Sequence, residues 1–258
     1  APYTQKMSTH VTFDKQLEEE LEIDMTGFRI HDELDPQIWK ESKLHDVIRT
    51  KLIEIAKDFI EGLPIEVQSE DVTLTGSLAN YNWSKYSDID LHIVVDFAKI
   101  DENIELVKAF FDAQRMRWND LHDIKIKGYD VEIYVENKGE EHHSTGVYSI
   151  ANGEWATHPE QIDRVIDLET ALKKAGDIDE QTSAVKDMYD EGEYESVMRN
   201  VDRIKNKIRS MRSAGLESEE MEFSPENIAF KILRRAKVLN KLTRLKYNAY
   251  DKSKTLDD

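Results

Sequence analysis

The chain contains no cysteine in 258 residues. Disulfide frames, thiol nucleophiles and cysteine-based metal sites are therefore excluded, and a reducing compartment, the cytoplasm, is the expected setting. Proline and glycine are scarce, at 5 and 10 residues, so neither a collagen-like repeat nor a Pro/Gly-rich low-complexity tract is present. No apolar run approaches the roughly eighteen residues of a membrane span, and no membrane partner is expected. The first residues, Ala1-Pro2-Tyr3-Thr4, lack the charged-then-apolar layout of a signal peptide. Ala1 is expected as a small residue left after methionine removal. Positive charge is also in deficit. With 35 Lys and Arg against 53 Asp and Glu, the net charge is −18, which argues against non-specific nucleic-acid binding by the whole surface.

What is present is concentrated between residues 67 and 135. Leu74-Thr75-Gly76-Ser77 reads as a strand ending in a tight turn, where glycine lets the backbone approach a phosphate and following amides face the anion. After a gap of ten residues beyond the serine comes Asp88-Ile89-Asp90-Leu91-His92, opening a strand-like run. Alternation sends Asp88, Asp90 and His92 to one face and Ile89, Leu91 and Ile93 to the other. Two carboxylates on one face repel unless a cation lies between them, so a divalent metal is the natural companion. A third acidic position comes from Gly128-Tyr129-Asp130-Val131-Glu132-Ile133-Tyr134-Val135. There Asp130, Glu132 and Tyr134 share the face opposite Val131, Ile133 and Val135. Glu132 lies deeper in the β-branched run and is preferred, with Asp130 in reserve.

The rest of the chain reads as organisation. Residues 1–42 form an N-terminal arm, anchored by Leu34, Ile38 and Trp39, with Glu18-Glu19-Glu20 solvated. Residues 43–158 form the core. It holds a helix over 44–63 ended by Gly62 and Pro64, strands over 67–75, 88–96 and 125–135, and a helix striped by Ile104, Val107, Phe110, Phe111 and Trp118. His142 and His143 are neighbours on an extended chain, point opposite ways and read as a solvated loop. Asn152-Gly153 marks a hairpin over 147–155. Residues 159–258 read as helical. One helix starts around Ile162, Val165, Ile166 and Leu168, and another runs along Val197, Val201, Ile204, Ile208 and Met211 to Gly215. A last helix of about twenty residues follows Ser224-Pro225, where serine caps and proline fills the first helical position. Basic residues bunch here: residues 197–258 hold fifteen Lys/Arg and nine Asp/Glu, a balance of +6. Such asymmetry marks either an anion-binding face or a solvated one.

Gly-Ser, a ten-residue gap and Asp-x-Asp in a strand together resemble the signature of the nucleotidyltransferase superfamily typified by DNA polymerase beta. The longer stretch, with Asn80-Tyr81-Asn82-Trp83 and Lys85-Tyr86-Ser87, is similar to small nucleotidyltransferases of tailed bacteriophages. The likeness extends to Asp35-Pro36-Gln37-Ile38-Trp39, Gly146-Val147-Tyr148-Ser149 and Ser224-Pro225-Glu226-Asn227. The resemblance implies an α+β fold, a polymerase beta-like mixed-sheet core with a C-terminal helical region. It implies transfer of a nucleoside monophosphate from a nucleoside triphosphate to a hydroxyl, with release of pyrophosphate. Asp88, Asp90 and Glu132 are then the catalytic and metal-binding residues for two Mg²⁺ (or Mn²⁺) ions, and relatives of the phage type favour glutamate at the third position. Gly76, Ser77, Lys85 and Tyr86 bind the nucleotide, and Tyr81, Trp83 and Tyr86 either stack on the base or pack the turn. The acceptor is left open, an RNA end or a protein among the choices, and a phage-encoded chain would work in the host cytoplasm. Two other readings stand beside this one: a catalytically silent nucleotide-binding or phage structural protein, and a pyrophosphokinase of the guanosine-alarmone type.

Overall fold

Strict alternation decides the central strand. From Ile89 to Val95, alternate residues are buried and half-buried, so Ile89, Leu91, Ile93 and Val95 enter a core and Asp90, His92 and Val94 do not. The computed structural model describes residues 24–140, 144–161 and 165–256. They form two compact units, 29–161 and 24–28 together with 165–256, each with its own apolar core.

In the first unit, β1 (Trp39–Lys40) and β2 (Lys43–Leu44) make a small hairpin ahead of α1 (Asp46–Glu61). The main sheet follows as β3 (Ser69–Thr75), β4 (Ile89–Val95), β5 (Lys125–Ile126), β6 (Tyr129–Asn137), β7 (Val147–Ser149) and β8 (Glu154–Thr157), with α2 (Ile104–Leu121) between β4 and β5. The spatial order is β5-β6-β4-β3-β7-β8. β4 and β6 run parallel and every other pairing is antiparallel. A parallel pair needs a long crossover, and α2 lies within it. Asn119 of α2 exchanges two 3.0 Å hydrogen bonds with the backbone of Ile133, satisfying β6 groups where β5 no longer reaches. Leu34, Ile38 and Trp39, expected as anchors of an arm, are buried in the same core as Leu52, Leu74 and Leu91.

One strand expected over 125–135 is instead a hairpin. Lys127 and Gly128 both adopt positive φ, 55° and 87°, the conformation of a two-residue turn that folds β5 back on β6. The hairpin anticipated at Asn152-Gly153 forms between β7 and β8.

The second unit holds α3 (Leu168–Asp190), α4 (Tyr194–Leu216), α5 (Pro225–Arg235) and α6 (Val238–Lys254). The first of these starts later than its apolar residues suggested. Asp167 caps it by accepting from the Thr170 amide at 3.0 Å, Val165 is 98% exposed, and Ile162 lies outside the described residues. Gly215 does not end α4 but sits inside it, because a side chain there would have its Cβ 2.5 Å from Ser224 Oγ. Ser224 caps α5 as expected, accepting from the Asn227 amide at 3.2 Å. The single last helix is in fact two. The chain breaks at Lys237, which adopts φ +59°, a left-handed residue that α-helix geometry cannot continue.

Candidate active site

The site grows from the sheet register. Asp90 on β4 lies opposite Glu132 on the parallel strand β6, and both side chains are half-buried on the same face. Neighbouring strands stand about 4.8 Å apart, so these two carboxylates are held side by side by backbone alone. Asp88, two residues before Asp90 and half-buried, leads into β4. Asp130 differs from this group in exposure and partner. It is exposed on the edge hairpin and ion-paired with Lys125, and that carboxylate raises the pKa of the Lys125 ammonium.

On its other side β4 pairs with β3, where Thr75 is the partner of Asp90. The next residue, Gly76, therefore arrives directly at the Asp90 carboxylate. A Cβ on Gly76 would lie 1.9 Å from Asp90 Oδ2, and φ is +77°, so glycine is demanded twice, by space and by backbone. A 3₁₀ turn, Ser77–Ala79, follows. Ser77 Oγ and the buried Ser87 hydroxyl share a 2.8 Å hydrogen bond, and Ser87 Oγ also accepts from the Ser84 amide at 2.9 Å. That contact fastens the Gly-Ser turn to the segment leading into Asp88. Trp39 donates from Nε1 to the Leu78 carbonyl at 2.7 Å, and a Cβ on Gly146 would strike the Ala79 carbonyl oxygen at 2.0 Å. Both hold the turn from outside. The sequence names Trp39 as an anchor of the arm and Ser87 within the family-like stretch, but not the hold of either on this turn, since each acts on a segment remote along the chain or through a hydroxyl with no pattern.

Tyr134 was placed on the acidic face by alternation but given no role there. Its hydroxyl donates to Glu132 Oε2 at 2.7 Å. Burial, and then the charges of Asp90 and Glu132, push its pKa well above the usual phenol value. The ring has the Arg115 guanidinium 4.9 Å from its centroid and the His92 ring stacked at 5.0 Å. His92 Nδ1 is 2.8 Å from Glu136 Oε2.

The loop aromatics divide. Trp83 stacks on His31 at 3.8 Å and donates from Nε1 to the Glu33 carbonyl at 2.9 Å, while the Tyr81 carbonyl accepts from the His31 amide at 2.7 Å. These two pack the turn. Tyr86 is 38% exposed, with the Lys85 ammonium 4.9 Å over its ring. Of the basic helical residues, Lys246 pairs with Asp202 at 2.6 Å, Arg212 and Arg235 cover the rings of Phe230 and Phe28, and Lys237, Lys241 and Arg244 are exposed. His142 and His143 lie outside the described residues.

The donor chemistry at β4 and β6 fits a hard divalent cation, because carboxylate oxygens are its preferred ligands and Gly76 leaves the space beside Asp90 without a side chain. Among the described residues, however, no three His, Asp or Glu groups converge as a ready-made metal cage; Glu132 has one oxygen engaged by Tyr134 instead.

The fold is a mixed sheet that carries paired carboxylates beside a glycine-serine turn. Consistent with this, the nucleotidyltransferase domain family matches residues 51–179, half of the chain, and the chain belongs to that family. Such domains transfer nucleotidyl groups and generally use divalent metals. No curated protein and no solved structure matches the chain. Among the described residues no helix is long and apolar enough to cross a membrane.

Proposed function

We propose that this chain moves a nucleoside monophosphate from a nucleoside triphosphate to an acceptor hydroxyl. The observation that carries this reading is the side-by-side placement of Asp90 and Glu132 against the Gly76-Ser77 turn. The acceptor oxygen attacks the α-phosphorus, the bond from that phosphorus to the β-bridging oxygen breaks, and pyrophosphate leaves with the electron pair as the hydroxyl proton is released. Asp88, Asp90 and Glu132 would hold two Mg²⁺ or Mn²⁺ ions. When bound, such ions stabilise charge on the attacking and leaving oxygens. The Gly76-Ser77 turn would take the terminal phosphates on backbone amides. Lys85 would add positive charge, and Tyr86, the exposed aromatic of the loop, would meet the base. RNA ends and protein side chains are the acceptors to test. Placement in the cytoplasm, that of the host for a phage-encoded chain, belongs to the same proposal.

The test is incubation with each nucleoside triphosphate, labelled at the α- or the γ-phosphate, with Mg²⁺ and a pool of RNA and protein acceptors. The reading expects α-label on the acceptor, lost in Asp90→Asn. Transfer of γ-label instead, with nucleoside monophosphate rather than diphosphate left behind, would make the chain a pyrophosphokinase. Triphosphate binding without any transfer would make it a silent binding protein.

A further inference from the structure

The geometry points to Tyr134 as a positioning residue that sets the orientation of the Glu132 carboxylate for cation binding. This rests on the nucleotidyltransferase reading of Glu132 and adds a residue to it. A glutamate on a strand has free rotation about its terminal bonds, and losing that freedom on binding a cation opposes binding. Tyr134 removes part of it in advance. Its O–H donates to Glu132 Oε2 at 2.7 Å, whereas no hydrogen bond to Oε1 occurs among the described residues. One oxygen is fixed and the other remains for a ligand.

The hydroxyl can do this only if its own ring is fixed, and two neighbours fix it. Arg115, projecting from α2, lies 4.9 Å from the ring centroid and is itself tied to Asp112 at 3.0 Å. His92 stacks against the ring with 24° between the planes, and Glu136 holds His92 at 2.8 Å. In register, His92 is the partner of Tyr134 just as Asp90 is the partner of Glu132. The two rows of the sheet are thus an acidic row and, one step along, an aromatic row that supports it. Outer partners of this kind orient metal ligands, and their loss typically weakens metal affinity about 10- to 100-fold.

The experiment measures Mn²⁺ binding to the full chain by the electron paramagnetic resonance signal of the free ion. It compares wild type, Asp90→Asn, Glu132→Gln, Tyr134→Phe and the double variant Glu132→Gln/Tyr134→Phe, with circular dichroism to check the fold. Tyr134→Phe keeps the ring and its stack and removes only the O–H. The inference expects it to weaken Mn²⁺ binding about tenfold or more, with no further weakening when Glu132 is already Gln. Unchanged binding in Tyr134→Phe, with binding lost in Glu132→Gln, would overturn the role of Tyr134 and leave the site reading intact. Equal losses from Tyr134→Phe in the presence and absence of Glu132 would also overturn it, since the effect would not pass through that carboxylate. Unaltered binding in both Asp90→Asn and Glu132→Gln would remove the site reading and the inference together. A melted Tyr134→Phe is answered by His92→Gln, which removes the stacked ring and is expected to weaken Mn²⁺ in the same direction; no weakening there would overturn the role.

Discussion

Both units carry exposed ion pairs, Lys51 with Glu54 in the sheet unit for one, but the two differ in what they hold away from the surface. In the helical unit, charges lie on exposed helix faces and are met locally: Lys186 with Asp190, Arg199 with Glu195, Lys246 with Asp202. Exposed pairs of this kind contribute little individually, and any one can be exchanged. In the sheet unit, Asp90, Glu132, Tyr134, His92 and Glu136 lie half-buried or buried on adjoining strands, where register gives them no choice of neighbour. Charge that geometry forces together, rather than charge that is merely abundant, marks the site.

Neutralising one carboxylate in each unit breaks this comparison most sharply. Asp90→Asn is expected to lower nucleotidyl transfer about a thousandfold or more, the equivalent of several kcal/mol of lost charge stabilisation, with an unchanged circular dichroism spectrum. Asp202→Asn is expected to leave turnover unchanged. Similar turnover in the two variants, measured as labelled acceptor per minute, would erase the distinction. Within the sheet unit, Glu132→Gln should be the severe change and Asp130→Asn the mild one; the opposite ranking moves the third carboxylate to Asp130.

Next in size are the two close approaches. Gly76→Ala drives a Cβ into Asp90 Oδ2 and forces alanine into φ 77°, ψ −164°, a region essentially reserved for glycine, for which roughly 1–3 kcal/mol of backbone strain is expected before the clash is counted. Loss of transfer should accompany the lowered melting temperature. Gly215→Ala meets Ser224 Oγ at 2.5 Å and should lower stability without altering the transfer chemistry. If Gly76→Ala melted normally and turned over normally, the contact with Asp90 would not be tight in solution.

A smaller effect follows from His31. Burial between Trp83 and its surroundings lowers its pKa below the ordinary 6.5. The folded form therefore holds fewer protons than the unfolded form in that range. Its contribution to stability is fully present above about pH 6.5 and declines as the pH falls through the lower folded value. Denaturant unfolding at pH 7.5 and 5.5 should show a fall that is shallower in His31→Gln. An equal fall in both proteins would place the titration elsewhere. The smallest expected change is a gain: Lys237→Gly relieves a left-handed lysine at the α5–α6 break and should raise the melting temperature by the equivalent of about 1 kcal/mol.

The acidic row was legible because period-two alternation is a local property, and Asp88, Asp90 and Glu132 stand in runs whose apolar partners are unambiguous. The pairing of Asp90 with Glu132 was not, since nothing in either strand states the register between them. The same limit hid the work of Trp39 and Ser87, which reach the Gly-Ser turn across 39 and 10 residues. In the helices, stripes gave the elements but not their breaks. Leu239, Leu242 and Leu245 continue the period of Ile228 and Ile232 past Lys237, because both helices face one core and the kink lies in backbone angles that a lysine does not advertise. Gly215 misled in the opposite sense: a glycine kept for proximity looked like a glycine kept for termination.

The hydrogen bond between Ser77 and Ser87 has a consequence for how such proteins can diverge. It closes a ten-residue loop at its neck, so the two halves of the motif are joined to each other independently of what hangs beyond. Lengthening a closed loop is thermodynamically mild, about 0.6 kcal/mol for each doubling. Residues grafted at the exposed Lys85-Tyr86 tip would therefore leave the spacing of Gly76 and Asp90 unchanged, making this hairpin-like neck a natural port for exchanging recognition elements while the chemistry beneath stays constant.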